Sequence, residues 1–273
     1  MYASGFGVSQ SIQLAIKWYQ LAADQGNIQA QFELGEAYLK GKGVSQEYEE
    51  AIKWYHLAAD EGDMKSQAKL GHIYFKGLGV SRNHKKGANW YRLAADQGDT
   101  DSQSKLGKMY FEGTGVVKSY KQAIKWYQLA ANQGNTEAQS SLGEIYAKGK
   151  GISQDSQEAV KWYQLAADQG NIEAQSSLGE MYAKGQGVSQ NSQEAVKWYM
   201  LAAEQGSTEA QYNLGEMNAK GQGVSQNSQE AVKWYHRAAE QGNIEAQSSL
   251  GAMYAEGTGV EKNYKEAITW FIS

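Results

Sequence analysis

The chain has 273 residues, 41% hydrophobic and 21% charged, with a net charge of -4 and a mean hydropathy of -0.65. It contains no run of 18 or more apolar residues, so no membrane-spanning helix is expected. It has no cysteine, which excludes disulfides, thiolate metal sites and cysteine nucleophiles together. Proline is absent too, whereas glycine occurs 31 times.

Those glycines are placed by a repeat. Trp-aromatic pairs start at Trp18, Trp54, Trp90, Trp126, Trp162, Trp198, Trp234 and Trp270, each 36 residues after the last, and these are all the tryptophans. Leu-Gly recurs at the same step from Gly35 to Gly251, a second glycine column runs from Gly26 to Gly242, and Gly-x-Gly runs from Gly5 and Gly7 to Gly257 and Gly259. Only Gly87 lies outside these columns, so glycine marks structural boundaries here and the chain reads as one array without an internal domain boundary.

In chain order, residues 1–26 form a partial unit, because Met1-Tyr2 aligns with Met181-Tyr182 and the first helix before it is missing. Full units span 27–62, 63–98, 99–134, 135–170, 171–206 and 207–242. A truncated unit, 243–273, stops before its Ala-Ala turn. Each full unit predicts two helices, as 171–206 illustrates. A stripe of Ala174, Leu178, Met181 and Tyr182 is followed by Gly185 as a C-terminal stop. Asn191, with Glu194 three residues on, predicts a capping-box start for a second helix carrying Ala195, Val196, Trp198, Tyr199, Ala202 and Ala203. About two residues then connect to the next unit, which makes neighbouring helices antiparallel. The Leu-Gly glycine sits inside the first helix, where it costs about 1 kcal/mol against alanine; it predicts close approach by a Trp or Tyr of the neighbouring helix.

The pattern Leu-Gly-x-x-Tyr, as in Leu34-Gly35 to Tyr38, resembles the tetratricopeptide repeat. Gly185-Gln186-Gly187-Val188, Glu194 to Tyr199 and Ala202 to Gly206 resemble the Sel-1-like repeat more closely, over essentially the whole chain. The resemblance implies an all-α fold, a right-handed α/α superhelical solenoid of 36-residue helix-turn-helix repeats, and a bacterial-type adaptor or scaffold that binds protein. It also implies a second reading, an inhibitor or immunity protein occluding a toxin or effector enzyme. A reading of another class, a penicillin-hydrolysing hydrolase, would need a nucleophile with a base, and no Ser/Lys or Ser/His spacing supports one. Departures from the family pattern are Ser189 and Ser225 where proline is common, Asn218 in place of the first-helix tyrosine, and Gly87-Ala88, expected to disturb a second helix whose usual glutamate is Lys86.

Catalytic and metal chemistry find no constellation. The histidines His56, His72, His84 and His236 have no His-x-x-x-His or Glu-x-x-His spacing, so no metal and no cofactor are expected. Gly41-Lys42-Gly43 lacks the third glycine of a dinucleotide loop and follows a helix. The Trp-Tyr pairs lie on the apolar stripe and read as core packing, not as nucleic-acid stacking platforms, and the acidic net charge also argues against nucleic acid. Glu144, Glu180 and Glu216, one unit apart, suit a solvated ladder or a ligand-binding stripe more than an acid/base pair.

In an array with fixed packing columns, partner choice rests on the columns that vary. On the first helices these are the columns of Phe32, Glu33, Glu36 and Leu39, expected on the concave face. Residues 63–134 hold twelve Lys/Arg against five Asp/Glu, a net of +7, between segments of -4 and -7. Lys69, His72, Phe75, Lys105, Lys108 and Phe111 form the expected anchor for an acidic, partly aromatic protein segment, with Glu36 and Phe32 beside it. Ordinary drift of solvated positions is the competing explanation. Tyr212 with Asn218 is a second candidate patch. Both ends fall within a unit, which leaves end-to-end self-association open. No secretory signal is visible, so the cytoplasm is the default compartment, with a secreted or periplasmic one if the N-terminus is truncated.

Overall fold

A computed structural model describes residues 11–272. The glycines Gly5 and Gly7 and the Met1-Tyr2 alignment lie outside the described residues. The helices group into two compact units, Met1–Asn135 and Thr136–Ser273, while the 36-residue period continues unchanged through both.

The first unit holds α1 (Ile12–Asp24), α2 (Ile28–Lys40), α3 (Tyr48–Asp60), α4 (Met64–Lys76), α5 (His84–Asp96), α6 (Thr100–Glu112) and α7 (Tyr120–Asn132). The second holds α8 (Thr136–Lys148), α9 (Ser156–Asp168), α10 (Ile172–Lys184), α11 (Ser192–Glu204), α12 (Thr208–Lys220), α13 (Ser228–Glu240), α14 (Ile244–Glu256) and α15 (Tyr264–Ile272). No strand occurs among the described residues. Even-numbered helices are the first helices of their repeats and odd-numbered ones the second, giving an all-α solenoid of helix pairs.

Local chemistry sets the helix ends. Asn27 Oδ1 accepts from Ala30 N at 2.9 Å to start α2, and Gly41 in a left-handed conformation ends it. Asn191 caps α11 by accepting from both Gln193 N and Glu194 N at 3.1 Å. The expected capping box is not reciprocal: the Asn191 N–H donates to the Tyr182 carbonyl at 2.9 Å, and Glu194 pairs with Lys197. The connection from α11 to α12 is three residues, 205–207, because α11 ends in a turn closed by Gly206 N to Ala203 O and Ser207 N to Ala202 O.

Packing within a repeat centres on the Leu-Gly pair. Leu34, Leu70 and Leu106 are fully buried in the first unit, as are Leu142, Leu178, Leu214 and Leu250 in the second. A Cβ added at Gly71 would lie 2.6 Å from the Tyr91 ring, and each equivalent glycine meets the equivalent second-helix aromatic. The residue pressed on the glycine is therefore the tyrosine of the Trp-Tyr pair, with Phe271 in its place at the last repeat. Tryptophan serves the other junction: Trp54 packs on Ala23 and Ala30, and Trp126 on Ala88, Tyr91 and Ala95. Trp18, 58% exposed, is the exception, having no preceding helix pair among the described residues.

Gly87 does not disturb α5, which runs unbroken from His84 to Asp96. It takes the place of the alanine found at Ala51 and Ala123, and it is buried against the backbone of α4, where an added Cβ would stand 3.1 Å from Gly71 O. The missing methyl lets the two helices meet closely.

A buried amide ladder links successive repeats. Gln67 Nε2 donates to Ala59 O (3.1 Å), capping α3, while its Oε1 accepts from Gln97 Nε2 (2.8 Å) at the end of α5. Gln103 and Gln133 repeat the arrangement at 3.0 and 2.8 Å, as do Gln175 with Gln205 and Gln211 with Gln241 in the second unit. Among the described residues the ladder lacks a donor at Gln31, whose Oε1 is buried without a partner because the donor position holds Glu61, whose carboxylate has no N–H to give. Glu61→Gln is expected to raise stability by about 1 kcal/mol, the net value of one such hydrogen bond, and a urea midpoint shift at constant slope would show it.

Two hydroxyls sit in the same layer. Ser66 and Ser102 Oγ are buried and unpartnered at a position that is alanine in the other repeats (Ala30, Ala138, Ala174, Ala210 and Ala246). Ser66→Ala and Ser102→Ala should each stabilise by about 1 kcal/mol, since an unpaired buried hydroxyl is replaced by a better helix former. Chemical denaturation of the double variant tests this; an unchanged midpoint refutes it.

Candidate partner-binding face

The variable first-helix positions of the first unit come together. Phe32 and Leu39 of α2, Lys65, Lys69, His72 and Ile73 of α4, and Lys105 of α6 line a cavity of about 720 Å³. An adjoining cavity of about 270 Å³ shares His72 and Lys105 and adds Phe75, Lys108 and Met109. Apolar side chains supply the floor: Phe32 and Leu39 are half-buried against the core around Tyr55, and Phe75 against that around Tyr91. Lys65 stands over the Phe32 ring at 5.9 Å, a cation–π contact on the rim. Of the expected anchors, only Phe111 lines neither cavity; its ring meets Tyr120 edge-on at 5.3 Å, beneath the approach of Lys118 to that tyrosine.

The electrostatics are less one-sided than the charge count of +7 suggests. Lys69 Nζ lies 2.6 Å from Glu36 Oε1, and Glu36 also takes Lys40 and a hydrogen bond donated by Tyr55 Oη at 2.7 Å. Burial alone would raise the Glu36 pKa, but the lysines and the tyrosine hydroxyl overcome it and hold the carboxyl at about 2. Asp99 and Asp101 line the larger cavity as well. Partial burial, followed by Lys76, Lys69 and Lys105, pushes His72 below the ordinary histidine range, which favours the neutral ring.

In the second unit the equivalent positions carry serines and glutamates. Ser140, Ser141, Glu144, Glu173, Ser177, Glu180 and Glu209 share a cavity of about 480 Å³. Glu144 pairs with Lys148 and Lys150 at 3.0 and 2.8 Å, and Glu180 with Lys184, so these carboxylates are neutralised locally. Tyr212 packs on Tyr235 with centroids 5.9 Å apart, as Phe32 packs on Tyr55. Asn218 is no surface contact: it is 7% exposed, and its Nδ2 donates to Leu214 O at 2.8 Å. At two other repeats the tyrosine of this column meets the residue eighteen places earlier: Tyr74 Oη meets His56 Nε2 (3.1 Å) and Tyr110 meets Arg92. At Asn218 the residue eighteen places earlier is Met200, which packs on the core cluster of Tyr199 and Trp234, so a thioether stands where His56 and Arg92 place a polar group. His56 and His236 likewise serve packing, edge-on to Trp90 and Trp270 at 5.3 and 5.2 Å.

The Sel1 repeat model matches residues 1–27, 28–63, 65–99, 100–135, 136–171, 172–207, 208–243 and 244–273. The chain belongs to the Sel1 repeat family. Two solved bacterial structures are similar to it. One is c5321, a protective antigen of uropathogenic Escherichia coli strains with an SLR fold, at 37% identity and a TM-score of 0.76 over all of this chain. This chain spans 66% of that protein's length. The other is a Sel1 repeat protein from Oxalobacter formigenes, at 33% identity and a TM-score of 0.75, with 89% of this chain and 95% of that one covered. No curated protein matches the chain. Sel1 repeats mediate protein–protein interaction, and no described helix of this one is long and apolar enough to cross a membrane.

Sequence reasoning found the variable columns but not the Glu36–Lys69 pair or the amide ladder. The ladder had a signal, two glutamine columns running in step through nearly every repeat. The ion pair had none, because it joins different columns of successive repeats and occurs at one place.

Proposed function

We propose that this Sel1 repeat protein is a non-enzymatic scaffold that holds an acidic, partly aromatic segment of a partner protein on the first-helix face of α2, α4 and α6. The observation that carries the reading is the pair of adjoining cavities with an apolar floor (Phe32, Leu39, Phe75) and a cationic rim (Lys65, Lys105, Lys108). Such a site gains affinity from buried aromatic anchors, and orientation and encounter rate from its rim charges. The preformed helices carry no ordering cost on binding, which suits a scaffold that takes up an extended segment.

The test is fluorescence anisotropy with a labelled peptide of alternating glutamate and phenylalanine. Lys105→Glu with Lys108→Glu should weaken binding about tenfold, since exposed charge pairs contribute little singly and reversal adds repulsion. Added salt should weaken the native complex in the same direction. Unchanged affinity in the double variant would remove the docking face from this surface.

A further inference from the structure

Resting on the docking face proposed above, we infer that Glu36 is a built-in competitor that occupies Lys69 until a partner carboxylate takes its place, so that this one residue sets the affinity threshold of the groove. Lys69 of α4 lines the larger cavity, and Glu36 of the preceding first helix holds its Nζ at 2.6 Å. The bond joins two repeats, unlike the pairs of Glu180 with Lys184 and Glu216 with Lys220, which lie within one helix turn.

Release of Lys69 leaves the Glu36 carboxylate partnered. Its other partners, Lys40 and the Tyr55 hydroxyl, remain in place, so Glu36 is not left unpaired when Lys69 swings outward. Lys69 itself is 36% exposed, on a flexible stem that reaches either Glu36 or the cavity. An incoming carboxylate thus exchanges one ion pair for another at this position, and its net gain there is the difference between them. A neutral or basic segment cannot make the exchange, which adds discrimination against it.

The molecule supplies its own control. Glu216 occupies the same repeat position in the second unit, accepts from Tyr235 Oη at 2.6 Å and pairs with Lys220, but the position corresponding to Lys69 is Ser249. A variant there alters the same in-helix lysine pair and tyrosine hydrogen bond but releases no groove cation.

The experiment uses the full chain and the labelled glutamate–phenylalanine peptide. Glu36→Gln keeps an oxygen for the Tyr55 hydroxyl and should bind the peptide about fivefold more tightly, whereas Glu216→Gln should stay within about twofold of the native protein. On a Lys69→Gln background the Glu36→Gln gain should vanish, which isolates the pair. Circular dichroism melts confirm that each variant is folded. If Glu36→Gln binds no more tightly while Lys105→Glu with Lys108→Glu still weakens binding, the competitor role is wrong and the docking face stands. If the native protein binds no peptide at all, both fall together.

Discussion

Gly187→Ala is expected to destabilise the second unit by about 4 kcal/mol, whereas Gly170→Ala should cost about 1 kcal/mol, although both glycines have positive φ. Gly187 adopts φ +72°, and a Cβ there would stand 2.2 Å from Ser156 O and 2.4 Å from the Ser156 carbonyl carbon. Those are backbone atoms at the start of α9, so neither a rotamer change nor a side-chain shift relieves the clash. Left-handed strain of about 1–2 kcal/mol for a non-glycine residue is therefore joined by the cost of prising one repeat from the next. Gly170 adopts φ +86° with nothing within 4 Å, so only the strain remains. The comparison separates the two parts of a glycine requirement at two sites of the same compact unit. Equilibrium urea unfolding of both variants measures it, and equal midpoints would show that the loop moves aside.

The same contrast explains how far the sequence was legible. The second glycine of Gly-x-Gly touches the neighbouring repeat and the Leu-Gly glycine touches its own repeat's tyrosine; both recur because the same neighbour is always there. A contact made in every repeat leaves a column, and columns are visible in one chain. That is why the helix pairs, their ends and the glycine packing could be read directly. Asn218 was misplaced on the surface because an asparagine reads as a polar position, whereas its amide is satisfied within its own helix by Leu214 O and the residue is buried. Glu61 and the orphaned oxygen of Gln31 belong to the same class: a single departure in a repeated contact, silent until its partner is known. The groove was found as columns of lysine and phenylalanine, but its charge was overestimated. Glu36 counts toward the acidic segment in sequence and toward the basic face in space.

Glu36 should also leave a signature in the acid stability of the protein. Its folded pKa of about 2 lies below the ordinary value of 4.5, so the unfolded chain binds the proton more readily. The contribution is complete above about pH 4.5 and is lost as the pH falls toward 2. A tenfold difference in proton affinity between the two states corresponds to about 1.4 kcal/mol, and screening at the exposed Lys40 and half-buried Lys69 reduces the sum to about 2 kcal/mol. Glu36→Gln should therefore be about 2 kcal/mol less stable than the native protein at pH 7, with the gap narrowing steadily between pH 4.5 and pH 2.5. Glu216→Gln, which loses one lysine fewer, should show a smaller gap with the same sign, since the Glu216 carboxyl is also held below its usual range. Urea midpoints at pH 7, 4.5, 3.5 and 2.5 measure both. A gap independent of pH would mean that Glu36 stabilises by packing and by the Tyr55 hydrogen bond rather than by its charge. Lys69 would then have no strong competitor to leave. A gap that closes with acid ties the stability of α2 and α4 to the same ion pair that a docking carboxylate must displace, so partner binding would loosen the junction between these two repeats.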